Sequence, residues 1–124
     1  MSPFFFGVVW MDIYVDGSGW NGKESRFAVA LENGRNHIGR LAEPKTNNEM
    51  EYTALIHALE NHAQSGDQIL TDSQLLVGHL TKGWKVTKPH LFPLVQHSKA
   101  LLAAKKATLE WMPREQNLAG HLLE

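Results

Sequence analysis

The sequence predicts a mixed α/β domain in the order βββαβααβα, and three observations predict it. Short segments rich in strand-forming apolar residues occupy the first third of the chain. The dipeptide Asn33-Gly34, a strong hairpin turn, joins two of them. A capping box, Thr46-Asn47-Asn48-Glu49, then opens a helical pattern. A three-stranded meander followed by alternating helices and strands implies a five-stranded mixed sheet flanked by helices, three strands antiparallel and two parallel.

The elements follow in order. Pro3 to Met11 is almost wholly apolar, yet far shorter than the roughly 20 residues a membrane-spanning helix needs. No basic segment or small-residue cleavage site flanks it, so residues 1–11 are expected to extend or lead into the first strand, ahead of a single domain over residues 12–124. Ile13-Tyr14-Val15-Asp16 reads as a strand, which Gly17-Ser18-Gly19 should end. Arg26 to Leu31 and Arg35 to Ala42 form the second and third strands. The capped helix should run to about Gln64, with Met50, Ala54, Leu55, Ala58 and Leu59 on its apolar stripe. Gln68 to Thr71 reads as a short buried strand and Ser73 to Leu80 as a short helix. Residues 83–88 form a loop. Pro89 to Lys106 reads as a long helix that holds Pro93 in its first turn. Ala107 to Met112 is the fifth strand, and Gln116 to Leu123 the last helix.

The 124 residues suffice for one domain with a real core. A net charge of −1 excludes a protein that grips nucleic acid by bulk charge. The charges are nevertheless uneven. Lys82, Lys85, Lys88, Lys99, Lys105, Lys106 and Arg114 lie in the last third, while Asp12, Asp16, Glu49, Glu51 and Asp72 lie earlier. A basic stripe beside an acidic pocket suits a polyanion held next to metal ions. There is no cysteine, which excludes disulfides and thiolate metal sites and is compatible with a reducing, cytoplasmic setting.

Three acids carry the chemistry. Asp16 closes a strand, Glu51 lies in the first turns of a helix, and Asp72 sits where Gln68-Ile69-Leu70-Thr71 meets the next helix. Singly, each has an ordinary role: a turn residue, a partner of the helix dipole, an N-cap. Together they edge one predicted sheet, and carboxylates converging there make an oxygen-rich pocket for Mg²⁺ and phosphoryl chemistry.

Asp16-Gly17-Ser18, Thr46-Asn47-Asn48-Glu49-Met50-Glu51 and Thr71-Asp72-Ser73-Gln74 resemble, in order, the first three signature motifs of type 1 ribonuclease H. Trp111-Met112-Pro113-Arg114-Glu115-Gln116-Asn117 is similar to the fifth strand and following loop of the short, archaeal-like forms of that family. The resemblance spans roughly residues 12–124 and implies a ribonuclease H-like fold. It implies endonucleolytic hydrolysis of the RNA strand of RNA–DNA hybrids by two divalent ions, Mg²⁺ or Mn²⁺, leaving 5′-phosphate ends. Asp16 would bridge both ions, and Glu51 and Asp72 would hold the one near the leaving group. Gly17, Ser18, Asn47, Asn48 and Gln74 would meet the hybrid, the amides reading 2′-hydroxyls. Trp84 and Lys85 would stand in for a longer basic handle, and Arg114 would touch the scissile phosphate or ease product release. A monomer working on RNA–DNA hybrid, away from membranes, is expected.

The chain departs from the family pattern at its far end. The family supplies a fourth carboxylate in a segment like Asn-x-x-Ala-Asp, where this chain reads Asn117-Leu118-Ala119-Gly120-His121-Leu122-Leu123-Glu124. Without a gap His121 takes the acid's position; with one deletion Gly120 takes it and offers no ligand. Asn117, His121 and Glu124 share one face at helical spacing, so Asn117 or His121 remains the candidate fourth member. A nitrogen ligand or a missing negative charge favours Mn²⁺ over Mg²⁺. A hybrid-binding module that has lost catalysis with its fourth acid is the alternative. The remaining histidines show no metal-like spacing and are expected on the surface or on helix faces.

Overall fold

The computed structural model describes residues 10–124. Most of the expected apolar extension therefore lies outside the described residues. Of it, Trp10 is exposed, and the Met11 amide donates to Asp67 Oδ1 at 2.8 Å.

The strands are β1 (Asp12–Ser18), β2 (Ser25–Leu31), β3 (Asn36–Leu41), β4 (Gln68–Thr71) and β5 (Thr108–Trp111). The helices are α1 (Asn47–Asn61), α2 (Gln74–Thr81), α3 (Phe92–Lys105) and α4 (Leu118–Leu122). The sheet runs β3-β2-β1-β4-β5. β1 pairs antiparallel with β2 and parallel with β4; β2 and β3 are antiparallel, β4 and β5 parallel. The mixed sheet expected from the sequence is thus present, with helices packed on it.

Several boundaries differ by a few residues, α1 ending at Asn61 rather than near Gln64, and three of the differences have a clear cause or consequence. β1 continues through Gly17 and Ser18, because β2 offers them Phe27 and Arg26 as partners. Pro89–Leu91 forms a separate 3₁₀ turn and α3 begins at Phe92, which puts Pro93 in the first turn, where its missing N–H goes unused. The last helix is a short one over Leu118–Leu122, preceded by a 3₁₀ turn at Arg114–Gln116.

The sheet's alternation sorts its faces. Phe27, Val29 and Leu31 join Ile13, Val15 and the buried face of α1 in the main core. Ala28 and Ala30 point the other way, into a smaller cluster with Ala119 and Leu123. Those small side chains let α4 approach the sheet closely, and Arg26 Nη2 donates to the Leu123 carbonyl at 2.9 Å. Asp16 lies directly across from Ala28 in the register, so its carboxylate shares that uncrowded face.

β1 and β4 pair only from Asp12 to Tyr14 on β1; beyond that β1 follows β2 alone. A cleft opens at the carboxyl ends of these two parallel strands, from which the chain leads toward opposite edges of the sheet. Such crevices are where open α/β sheets bind ligands.

Candidate active site

Asp16, Glu51 and Asp72 each offer a carboxylate oxygen, and these atoms all lie within 4.8 Å of one another. Asp16 is 3% exposed and Glu51 8%, and the Asp72 side chain is 6% exposed. Each acid arrives by a separate local device. Asp16 is fixed by the β1–β2 register. Glu51 is delivered by α1, whose start is set by Thr46: its Oγ1 accepts from the Glu49 amide at 3.1 Å, while Glu49 Oε1 accepts from the Thr46 amide at 2.8 Å. Gly17 lets that helix in, since a Cβ at 17 would overlap the backbone of Met50 and Glu51. The Gly17 amide then donates to Glu51 Oε1 at 3.0 Å. Asp72 follows β4 directly, and Ser73, whose Oγ accepts from the Leu76 amide at 3.2 Å, starts α2 immediately after it.

Three crowded carboxylates strain against one another. Burial first, then the Asp72 charge, raises the Asp16 pKa; burial, then Asp16 and Asp72, raises Glu51 well above the usual carboxylate range. Asp16 Oδ1 is buried without a hydrogen-bond partner. All-oxygen ligands, mutual repulsion and an orphaned acceptor fit hard divalent cations.

This repulsion has a pH signature. Folding raises both pKa values, so the site's contribution is fullest in acid and is lost as pH rises through the folded values. In metal-free protein, Glu51→Gln is expected to gain thermal stability over wild type progressively between about pH 5 and about pH 9. Saturating Mn²⁺ should reverse the order. Thermal denaturation with and without chelator measures both, and a difference that does not change with pH would contradict it.

The sequence left Asn117 and His121 open as a fourth ligand, and the geometry gives the partners each side chain already holds. Asn117 is fully buried. Its Nδ2 donates to the Val15 carbonyl and to Asp72 Oδ2, both at 3.0 Å, and its Oδ1 accepts from the Ala119 amide at 3.0 Å, capping α4. Its oxygen is spent on the helix, and donors, not a ligand atom, face the carboxylate. His121 is exposed, with Nε2 2.9 Å from the Glu115 carbonyl. The nearest atom to a Cβ built at Gly120 is Asp16 Oδ2, 3.4 Å away. Position 120 therefore faces the trio and carries no side chain.

A carboxylate at 120 fits that space. Gly120→Asp is expected to lower metal-free stability and to tighten Mg²⁺ binding by about tenfold, one added charged ligand. Isothermal titration calorimetry reads this, and unchanged affinity would place position 120 outside the site.

The other candidates surround the trio. Gly17, Ser18, Asn47 and Arg114 line the same cleft, with Leu123 and Glu124. Asn47 Oδ1 accepts from the Gly19 amide at 2.6 Å, which leaves its amide nitrogen toward solvent. Asn48 is half-buried beside it. Arg114 is 75% exposed, with Nη1 3.6 Å from Asp72 Oδ1. Gln74 lines a second groove with Val77, Lys82, Trp84 and Trp111. The Trp84 ring lies on Gly78, where any Cβ would overlap it, and is 46% exposed. Lys85 is exposed next to it. The sequence missed Trp111, 45% exposed, whose Nε1 donates to the Asp72 carbonyl at 3.2 Å and braces the strand end behind that acid.

Buried carboxylates at the carboxyl ends of β1 and β4, beside α1, form a cluster with the ligand chemistry of a divalent-metal site. The chain belongs to the RNase H family, whose model matches residues 10–117. It is similar to RNase H1 from the halophilic archaeon Halobacterium salinarum: 25% identical, TM-score 0.80, covering 93% of this chain and 94% of that one. It is also similar to LC11-RNase H1 in complex with an RNA/DNA hybrid: 26% identical, TM-score 0.73, covering 91% and 92%. The bifunctional protein Rv2228c of Mycobacterium tuberculosis is 33% identical over 94 residues, 73% of this chain. This chain spans only 25% of that relative's length.

Proposed function

We propose that this protein hydrolyses the RNA strand of RNA–DNA hybrids endonucleolytically, leaving 5′-phosphate ends. The observation that carries this is the buried trio Asp16, Glu51 and Asp72 with its orphaned Asp16 Oδ1, in a chain of the RNase H family. The hybrid bound by LC11-RNase H1 supports the choice of substrate.

Asp16, Glu51 and Asp72 would hold the divalent ions between them. When bound, such ions neutralise the attacked phosphate and provide the hydroxide nucleophile. The chain's own groups do the rest. Asn117 holds Asp72 by a donated hydrogen bond, and the Gly17 amide holds Glu51. Arg114, exposed and next to Asp72, is a counter-charge for the scissile phosphate. Asn47, Asn48 and Gln74 present amides that both donate and accept, as a 2′-hydroxyl requires. Trp84 and Lys85 offer a stacking surface and a charge along the same side.

The empty position at Gly120 leaves one ion with fewer negative ligands. We therefore infer a preference for Mn²⁺, which tolerates fewer carboxylates than Mg²⁺ when other donors complete its shell. Among the described residues no helix is long and apolar enough to cross a membrane. A cytoplasmic monomer is the simplest setting for this activity.

A panel of end-labelled duplexes tests the function. RNA–DNA hybrid should be cut with Mn²⁺ and more weakly with Mg²⁺, while DNA duplex stays intact. Binding of hybrid without cleavage under either ion would favour a catalytically silent binding module instead.

A further inference from the structure

Three histidines lie together away from the carboxylates. His37 comes from β3, His57 and His62 from α1. Their ring centroids are 4.2 Å apart for His37 and His57, 5.3 Å for His57 and His62, and 6.3 Å for His37 and His62. Phe27 closes the inner side, 5.7 Å from His37 and 5.1 Å from His57. All three imidazoles are half-buried, and the Nε2 of His62 is buried without a hydrogen-bond partner. Their partial exposure accords with the expected surface or helix-face positions; that the three meet is what the spacing did not show. His79 differs: it sits on α2 but is buried, with Nδ1 2.8 Å from the Tyr52 hydroxyl.

Imidazoles on one tetrahedral ion bind through nitrogen at about 2.0–2.1 Å, which puts their ring centres about 5 Å apart. The observed separations straddle that spacing. His37 and His57 are stacked at 14° rather than converged, so binding would require rotation about the side-chain torsions that also moves the ring centres by about 1 Å.

We propose that His37, His57 and His62 form a site for a borderline-soft divalent cation, zinc above all, which clips the edge strand β3 to α1. Ligand chemistry separates this site from the other one. Imidazole nitrogen selects zinc, nickel or copper, whereas three carboxylates select magnesium or manganese. Burial and the neighbouring imidazoles lower the pKa values of His57 and His62, which keeps them in the neutral form that a metal needs. Two charged groups face the cluster: Glu60, which is also held by His97 at 3.0 Å, favours a cation, and Arg35 opposes one. The clip braces the helix that delivers Glu51, so its effect falls on stability rather than on the reacting atoms.

Zinc titration of tag-free protein, with Mg²⁺ in excess to fill the carboxylate site, tests this by calorimetry and thermal denaturation. One zinc per chain and a raised Tm are expected. Each of His37→Gln, His57→Gln and His62→Gln should weaken binding by roughly a hundredfold through loss of one of three ligands. His37→Gln, on an edge strand, keeps the fold by circular dichroism. Asp72→Asn should leave zinc binding intact. Absence of zinc binding, or binding that Asp72→Asn removes and His37→Gln spares, would overturn the proposal.

Discussion

Asp72→Asn is expected to cut hybrid cleavage by at least about a thousandfold, the loss of several kcal/mol of charge stabilisation at the phosphate. The Asp72 carboxylate is one of three within 4.8 Å, and its side chain is almost wholly buried. Asparagine keeps the shape and removes the charge. The fold should therefore survive, and metal-free stability should stay level or rise as repulsion on Asp16 and Glu51 is relieved. The Mn²⁺-dependent gain in Tm should shrink. Hybrid affinity should change little, because the groups proposed to grip the substrate lie outside the trio. Single-turnover cleavage, with thermal denaturation on the same samples, separates these effects. Wild-type cleavage by the variant would sink the assignment of Asp72.

Asn117→Ala should be the most destabilising single change at the site, by about 2–4 kcal/mol in urea unfolding. That sums a lost helix cap of about 1 kcal/mol and buried groups left unpaired at about 1–3 kcal/mol. One side chain ties the Val15 carbonyl on β1, the Asp72 carboxylate after β4 and the first turn of α4. Activity should fall along with stability, since Asp72 loses the donor that orients it. Asn117→Asp separates this positioning role from ligation. A carboxylate there keeps the cap but presents an acceptor to two acceptors, so it should harm the metal-free protein at neutral pH as much as alanine does. Tighter Mn²⁺ binding by Asn117→Asp would instead mark residue 117 as a ligand.

Much of this was legible in the sequence, and the illegible part has a physical cause. Asp16 and Asp72 are announced by strand ends, Glu51 by the capping box that opens at Thr46, and all three are local signals. Asn117 is different. An amide can ligate through oxygen or donate through nitrogen, and its partners lie 102 and 45 residues away. Only the packed sheet decides between those roles. His121 was grouped with Asn117 by helical spacing, but α4 is five residues long, and the 3₁₀ turn before it brings the Glu115 carbonyl to the His121 ring. The choice between positions 120 and 121 was open as a matter of alignment; a Cβ at Gly120 would lie 3.4 Å from Asp16 Oδ2, which supports position 120. The histidine cluster had no sequence signal at all, because β3 and α1 meet only through the β2–β3 register and the docking of the helix on the sheet. Trp84, expected to stand in for a basic handle, packs one side of its ring on Gly78 and leaves the rest open.

The central claim is that Asp16, Glu51 and Asp72 form the metal centre and that nothing on α4 replaces a fourth acid. A crystal soaked in Mn²⁺ and read by anomalous scattering tests it most directly. The predicted result is anomalous density bounded by those three carboxylates, with Gly120 facing it and the His121 ring still turned to Glu115. Density ligated by His121 or by the Asn117 oxygen, or none between the three carboxylates, would contradict it.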